Sequence, residues 1–332
     1  MTQETKTATN ISAAAEFTRP LLLTPAEDLR GYVLGYTGRG LTLLITFVSV
    51  MAVFLIFLFV IRETVPFIWL DTLKASVARL HHFLSSSEWY PQADEAEFGA
   101  RALIVGSLYV TFAALIVAVP VGLISAVFLS DIAPFKLRQI IKPVIELLAA
   151  IPSVAYGFFA IIVVAPWLQR VFGFPTGANI LNVSMILALM AVPTIISVAE
   201  DSLSAIGREI REASYGLGAT RAETILRVVI PAAHSGIIAA VILGMMRAIG
   251  ETMVVLMAAG MAAQIPSPWW NLSQSVRPMT ATIAQEMGET PKGSEHYFAL
   301  FAVGLVLLVF TFMLNMISQA FLVRFRRKGQ QA

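Results

Sequence analysis

Six long apolar stretches punctuate this chain, at about 41–62, 101–130, 143–168, 181–203, 232–262 and 298–323. Each approaches or exceeds the roughly 20 residues with which an α-helix crosses a hydrocarbon layer. The pattern predicts an all-α polytopic membrane protein with six transmembrane helices. The second and fifth stretches are over-long and are expected to tilt or to project beyond the bilayer. A polar arm, 1–40, precedes this 41–323 membrane domain, and a short basic tail, 324–332, follows it. The first stretch has no small-residue cleavage site behind it, so it reads as a span and not as a removable signal peptide.

Composition supports that picture and removes several alternatives. Hydrophobic residues make up 57% of the 332 and charged residues only 13%. A soluble chain averages about 25% charged residues. Half that charge cannot cover a globule of this size, whereas a bilayer removes the need. The net charge of +2 gives no basic field for nucleic acid. The absence of cysteine excludes disulfides, thiolate metal sites and thiol catalysis.

Orientation follows from the basic residues. With the N-terminus inside, cytoplasmic segments collect Arg30, Arg39, Lys136, Arg138, Lys142, Arg208, Arg211, Arg221, Arg227 and the Arg324–Lys328 cluster. The outer segments hold fewer, among them Arg62, Lys74, Arg79, Arg101 and Arg277. This bias favours both termini in the cytoplasm. All five tryptophans, Trp69, Trp89, Trp167, Trp269 and Trp270, fall at or beyond predicted outer ends, as an interfacial belt would. Two outer segments, 63–100 and 263–297, read equally as docking surfaces or as loose connections.

The loop between spans four and five, about 204–231, is predicted to be helix–turn–helix. A charged helix over Ile206–Tyr215 breaks at Gly216 and Gly218. A second begins with Thr220 as N-cap and Glu223 three residues on, a capping box. Its expected apolar face is Ala222, Ile225, Leu226 and Val229, and Pro231 leads into span five. Within that span, Arg247 lies near the expected midplane. A charge there is costly unless it faces protein or water, which makes it a candidate functional residue. Glu251, four residues on, shares its face. Ala240 and Gly244 on the same face leave room for another backbone or for a solute. A purely structural Arg–Glu pair is the competing explanation.

Glu212-Ala213-Ser214, followed by Gly218 and by Val228-Val229-Ile230-Pro231, resembles the EAA loop of ABC-importer permeases, with Ser214 in place of the usual second Ala. The string Arg247-Ala248-Ile249-Gly250-Glu251-Thr252 is similar to the Arg-Ala-x-Gly-Glu-Thr segment of phosphate-specific (Pst) permeases. Ala150-Ile151-Pro152-Ser153-Val154-Ala155-Tyr156-Gly157-Phe158 looks like their span-three motif. Met279–Ala284 and a closing span with Thr311 and Asn315 resemble the C-type subunit rather than the A-type. The resemblance covers roughly 100–323 and implies the type I ABC-importer permease fold.

It further implies a substrate path along Arg247, Glu251, Thr252, Ser153 and Tyr156, and an ATPase-coupling loop marked by Glu212, Ala213, Gly218 and Pro231. No catalytic or metal-binding residue is implied, and no cofactor is expected on this chain; ATP and Mg would act on a separate ATPase. The implied partners are an A-type permease, two copies of the ATPase and an outer phosphate-binding protein, in a bacterial inner membrane. Chemistry is compatible. A guanidinium presents a fixed fork of donors to a tetrahedral oxyanion, and an acceptor-only carboxylate tolerates phosphate's proton but repels fully ionised sulfate.

Three other features point elsewhere and are set aside. Gly288–Ser294 looks like a phosphate loop but lacks the Lys after its second Gly. His81 and His82 are adjacent and read as a solvated loop. Ser153 has no neighbouring His or Asp to activate it. Two alternatives remain open at this point: a permease for sulfate or molybdate, and an ATP-independent anion channel or carrier.

Overall fold

The computed structural model describes residues 25–69 and 72–329. Two compact units divide the chain, Met1–Phe59 and Val60–Ala332. Where described, the first is helical, and it holds the larger part of α1 (Pro25–Ile68). The first 24 residues of the predicted arm, and 330–332 of the tail, lie outside the described residues.

The second unit continues with α2 (Leu73–Ser85) and a small antiparallel hairpin of β1 (Trp89–Tyr90) and β2 (Glu97–Phe98). Then come α3 (Arg101–Ile132), α4 (Phe135–Ala150), α5 (Ser153–Phe172) and α6 (Ile180–Ser204). The loop helices α7 (Arg208–Gly216) and α8 (Arg221–Ala232) lead to α9 (His234–Ile249) and the short α10 (Met253–Ala258). Two helices close the chain, α11 (Met279–Glu286) and α12 (Glu295–Gly329). Among the described residues, five helices are long and apolar enough to span. The pair α8–α9, bent by 71°, raises the number to six.

Two predicted spans are not single helices. The stretch 143–168 divides at Ile151–Pro152 into α4 and α5. Proline has no N–H to donate and forces the residue before it out of the helical region; Ile151 accordingly sits at φ −62°, ψ 130°. The stretch 232–262 divides into α9 and α10 at Gly250–Thr252. Within α5, a π-helical turn over Ala160–Val164 widens the backbone, and the buried Asn182 donates its amide to the Ala160 carbonyl at 3.1 Å.

The hub of the bundle is α6. Val183, Ile186, Leu187, Ile195 and Leu203 are all buried, so the helix is apolar on every side. Small residues on its neighbours let it approach closely, as in membrane helix packing. Ile195 wedges between α3 and α9: an added Cβ at Gly122 or at Gly244 would each stand 2.6 Å from its side chain. Of the two uses expected for the room beside Gly244, another backbone or a solute, the fold takes the first: α6 fills it with the Ile195 side chain and brings the Ala191 carbonyl to 3.9 Å of an added Cβ.

The segments 63–100 and 263–297 are more ordered than expected. Phe67, Phe83, Trp89 and Phe98 are buried together with Leu103, Met279, Leu300 and Val303. The rings meet edge to face, Phe67–Phe83 at 5.3 Å and Trp89–Phe98 at 5.8 Å. Trp89 is thus a core residue, 1% exposed, while Trp69, Trp167, Trp269 and Trp270 are exposed as a belt requires. His81 and His82 lie on α2, not in a loop.

Candidate functional site

The break between α4 and α5 frees helix-terminal carbonyls, since the last four of any helix lack a backbone partner. Pro152 cannot bond the Leu148 carbonyl, which instead accepts the Ile151 N–H at 3.4 Å and the Tyr156 hydroxyl at 2.9 Å. The next carbonyl, Ala149, accepts from Arg247 Nη2 at 3.2 Å. Arg247 Nε is buried with no partner. One guanidinium therefore reaches from near the end of α9 to the end of α4 with part of its donor fork unused.

The second break lies against the first. An added Cβ at Gly157 on α5 would come within 2.5 Å of Met257 Sδ and 3.5 Å of the Met253 carbonyl on α10. Discontinuous helices that meet in this way are how membrane transporters gather polar groups at mid-depth. The Glu251 carboxylate accepts the Met253 and Val254 N–H groups at 3.1 and 3.3 Å, capping α10. Thr280 Oγ1 on α11 donates to the Glu251 carbonyl at 2.8 Å, fixing the break from the other side. Because α9 ends at Ile249, Glu251 does not share a helical face with Arg247, and no ion pair joins the two among the described residues. That corrects the spacing argument. Ser153, in the first turn of α5, and Thr252 are half-buried. The structure thus gathers Arg247, Tyr156 and Ser153 around the α4–α5 break, and places Glu251 and Thr252 at the neighbouring one.

The 204–231 loop is helix–turn–helix as expected. Thr220 Oγ1 accepts the Glu223 N–H, and Glu223 reaches back to the Thr220 N–H at 3.0 Å. Those bonds, from the Thr220 backbone and then its hydroxyl, hold the exposed Glu223 carboxyl below the usual range. Gly218 takes φ +86° with nothing within 4 Å of an added Cβ. Glu212, Ala213, Gly218 and Pro231 are not buried, and Leu217 is 91% exposed at the tip. Ser214 is buried and bonds Thr224 Oγ1 at 2.9 Å, which ties α7 to α8 and gives its hydroxyl a use that alanine lacks. The predicted apolar face of α8 needs correction: Thr224, Ile225 and Val229 are buried, whereas Ala222 and Leu226 are exposed, and the backbone over Ile225–Val229 forms a π-helical turn.

Two polar clusters, one around the buried Glu200 and one around the half-buried Glu286, were not foreseen. Glu200 on α6, 1% exposed, is bonded by Arg138 and, at 2.7 Å, by Lys142; Lys142 also reaches Asp201 at 2.8 Å. Glu286 is bonded by Arg277, by Trp89 Nε1 at 3.1 Å and by His296 Nε2 at 2.7 Å. For the first, the available signal was Glu200-Asp201 closing an apolar run, with Arg138 and Lys142 one helical turn apart.

Residues 118–327 match the family described as binding-protein-dependent transport system inner membrane component. The chain belongs to that family. The probable ABC transporter permease protein YqgH of Bacillus subtilis is 38% identical over 231 residues, 70% of this chain and 74% of the relative. The phosphate transport system permease protein PstC of Mesorhizobium japonicum is 36% identical over 261 residues, 73% and 78% of the two chains. A bacterial transporter for the acidic polysaccharide alginate superposes with a TM-score of 0.55 at 15% identity, covering 87% of this permease and 99% of that chain. The fold is that of type I ABC-importer permeases, and the relatives are transport components of the inner membrane that work with ATPase and binding-protein partners. This permease is therefore a multi-pass inner-membrane transport component.

Proposed function

We propose that this permease is the membrane-spanning C-type subunit of an ATP-driven importer of inorganic phosphate. The observation that carries the reading is Arg247: a guanidinium at paired helix breaks, holding a single carbonyl and keeping a buried Nε without a partner. Phosphate offers the several acceptor oxygens that such a fork seeks. The carboxylate of Glu251 and the hydroxyls of Thr252, Ser153 and Tyr156 complete the path. Relatives named for phosphate transport favour phosphate over sulfate or molybdate. Family membership speaks against a stand-alone channel or carrier.

In this reading the chain has no nucleotide site and binds no cofactor. Energy arrives from two copies of an ATPase, with ATP and Mg, through the exposed surface of α7, Leu217 and Gly218. A homologous A-type permease completes the membrane pore, and a phosphate-binding protein delivers the anion from outside. Both termini lie in the cytoplasm in this reading, which the Lys and Arg distribution favours.

The test is reconstitution of the four components in vesicles, with uptake of phosphate, sulfate and molybdate measured with and without ATP. ATP-dependent phosphate uptake that Arg247→Gln abolishes is expected. Preference for another oxyanion, or uptake without ATP, overturns the reading.

A further inference from the structure

Helix α4 is held in an unusual manner. None of its side chains is buried, and Phe135, Ile140 and Leu147 stand 73%, 66% and 69% exposed. Apolar packing within this chain therefore contributes little to its position. Polar contacts secure it at two places instead. Toward its start, Arg138 and Lys142 engage Glu200, with Arg138 also donating to Ser204 at 2.9 Å. At its end, the Leu148 and Ala149 carbonyls take Tyr156 and Arg247. The Ile151–Pro152 junction that follows has no continuous helix to stiffen it.

The geometry points to Glu200 as a positioning residue for the Arg247 site. Its carboxylate latches α4 to α6 and so keeps the Ala149 carbonyl on the guanidinium. Release of the latch lets α4 swing about Ile151–Pro152, withdraws that carbonyl and leaves the whole donor fork of Arg247 to an incoming anion. Glu200 touches no substrate; it acts through the helix. The inference rests on Arg247 as the anion's contact, but the motion it asserts is measurable by itself.

This chain has no cysteine of its own, so no native thiol within it competes with an introduced one. In the assembled importer, Ala149→Cys is the reporter, and its rate of reaction with a hydrophilic thiol reagent is measured from the side that bears α7. Glu200→Gln should raise that rate roughly tenfold or more, because a buried ionic contact is strongly coupled to the position of its partners. Glu200→Asp, which keeps the charge, should return it toward the parent value, whereas a merely structural defect would not distinguish the two. As a second arm, Lys142→Cys with Asp201→Cys leaves the Arg138–Glu200 contact in place. Joining these cysteines with a reductant-cleavable bifunctional reagent should stop phosphate uptake, and cleavage should restore it. An unchanged rate of labelling at position 149 in Glu200→Gln, or uptake at the uncross-linked rate in the joined protein, overturns the proposal. If phosphate is not the substrate, the parent itself shows no phosphate uptake while the labelling arm still reads the latch.

Discussion

Glu200 and Arg247 each place a charge among apolar helices, and the two are served very differently. Both oxygens of Glu200 are bonded, by Arg138, Lys142 and Ser204. Arg247 has one carbonyl at 3.2 Å and an Nε with nothing to bond. Buried polar groups are nearly always satisfied, so an exception calls for a reason. The satisfied carboxylate fixes the placement of two helices. The under-satisfied guanidinium keeps capacity for a ligand, and lies where two helices break.

The sharpest way to break that contrast is to neutralise the two charges separately. Arg247→Gln is expected to lower phosphate uptake roughly 30-fold to several-thousand-fold, the equivalent of about 2–5 kcal/mol for a lost charged partner, with a thermal midpoint in detergent close to the parent's. Adding Glu251→Gln should not rescue uptake, since Glu251 caps α10 and does not pair with Arg247. Recovery in that double variant would make Arg247 scaffolding. Glu200→Gln is expected to show the opposite profile in the melting experiment, with a loss of about 2–3 kcal/mol as two cations lose their shared carboxylate. The full cost of a deeply buried pair is not reached, because Arg138 and Lys142 are each a third exposed. A melting curve unchanged by Glu200→Gln would leave α4 without its ionic anchor.

Smaller effects sharpen the same contrast between packing and contact with something outside the chain. Gly244→Ala drives a methyl into Ile195 and should cost about 1–3 kcal/mol in stability. Gly218→Asp meets open space, so only the left-handed backbone resists it, at about 1 kcal/mol. Its expected consequence is loss of co-purifying ATPase; retention of the ATPase with normal uptake would remove the coupling role from this loop. Thr220→Ala should cost about 1 kcal/mol as a lost N-cap, read as a small shift in the thermal midpoint. The capping box also has a pH signature. A carboxyl held below its ordinary range contributes fully above that range and loses its contribution as pH falls through the lowered value. The difference between parent and Thr220→Ala should therefore shrink in acid.

Much of this permease is legible from residue order, because its determinants are local. Apolar runs long enough to span, the Lys and Arg distribution, the Thr220–Glu223 capping box and the glycine turn at 218 need no knowledge of distant neighbours. The Arg247 segment likewise announces itself, since a charge in an apolar run is conspicuous without any fold. What residue order left undecided is which surface meets which. Proline at 152 marks a break, but only the folded chain brings the Tyr156 hydroxyl and the Arg247 guanidinium to the freed carbonyls. Periodicity placed Glu251 beside Arg247 by assuming an unbroken helix, and set Ala222 and Leu226 in an apolar face where the fold leaves both exposed. Gly244 left room for another backbone or for a solute, and only the approach of α6 with Ile195 decided between the two. The pairing of Glu200 was not read from residue order, because its partners lie about sixty residues away, in the segment that precedes the 143–168 stretch. Hydrophobic length is a property of each segment alone; the satisfaction of a buried charge is a property of pairs, and only the folded chain brings those pairs together.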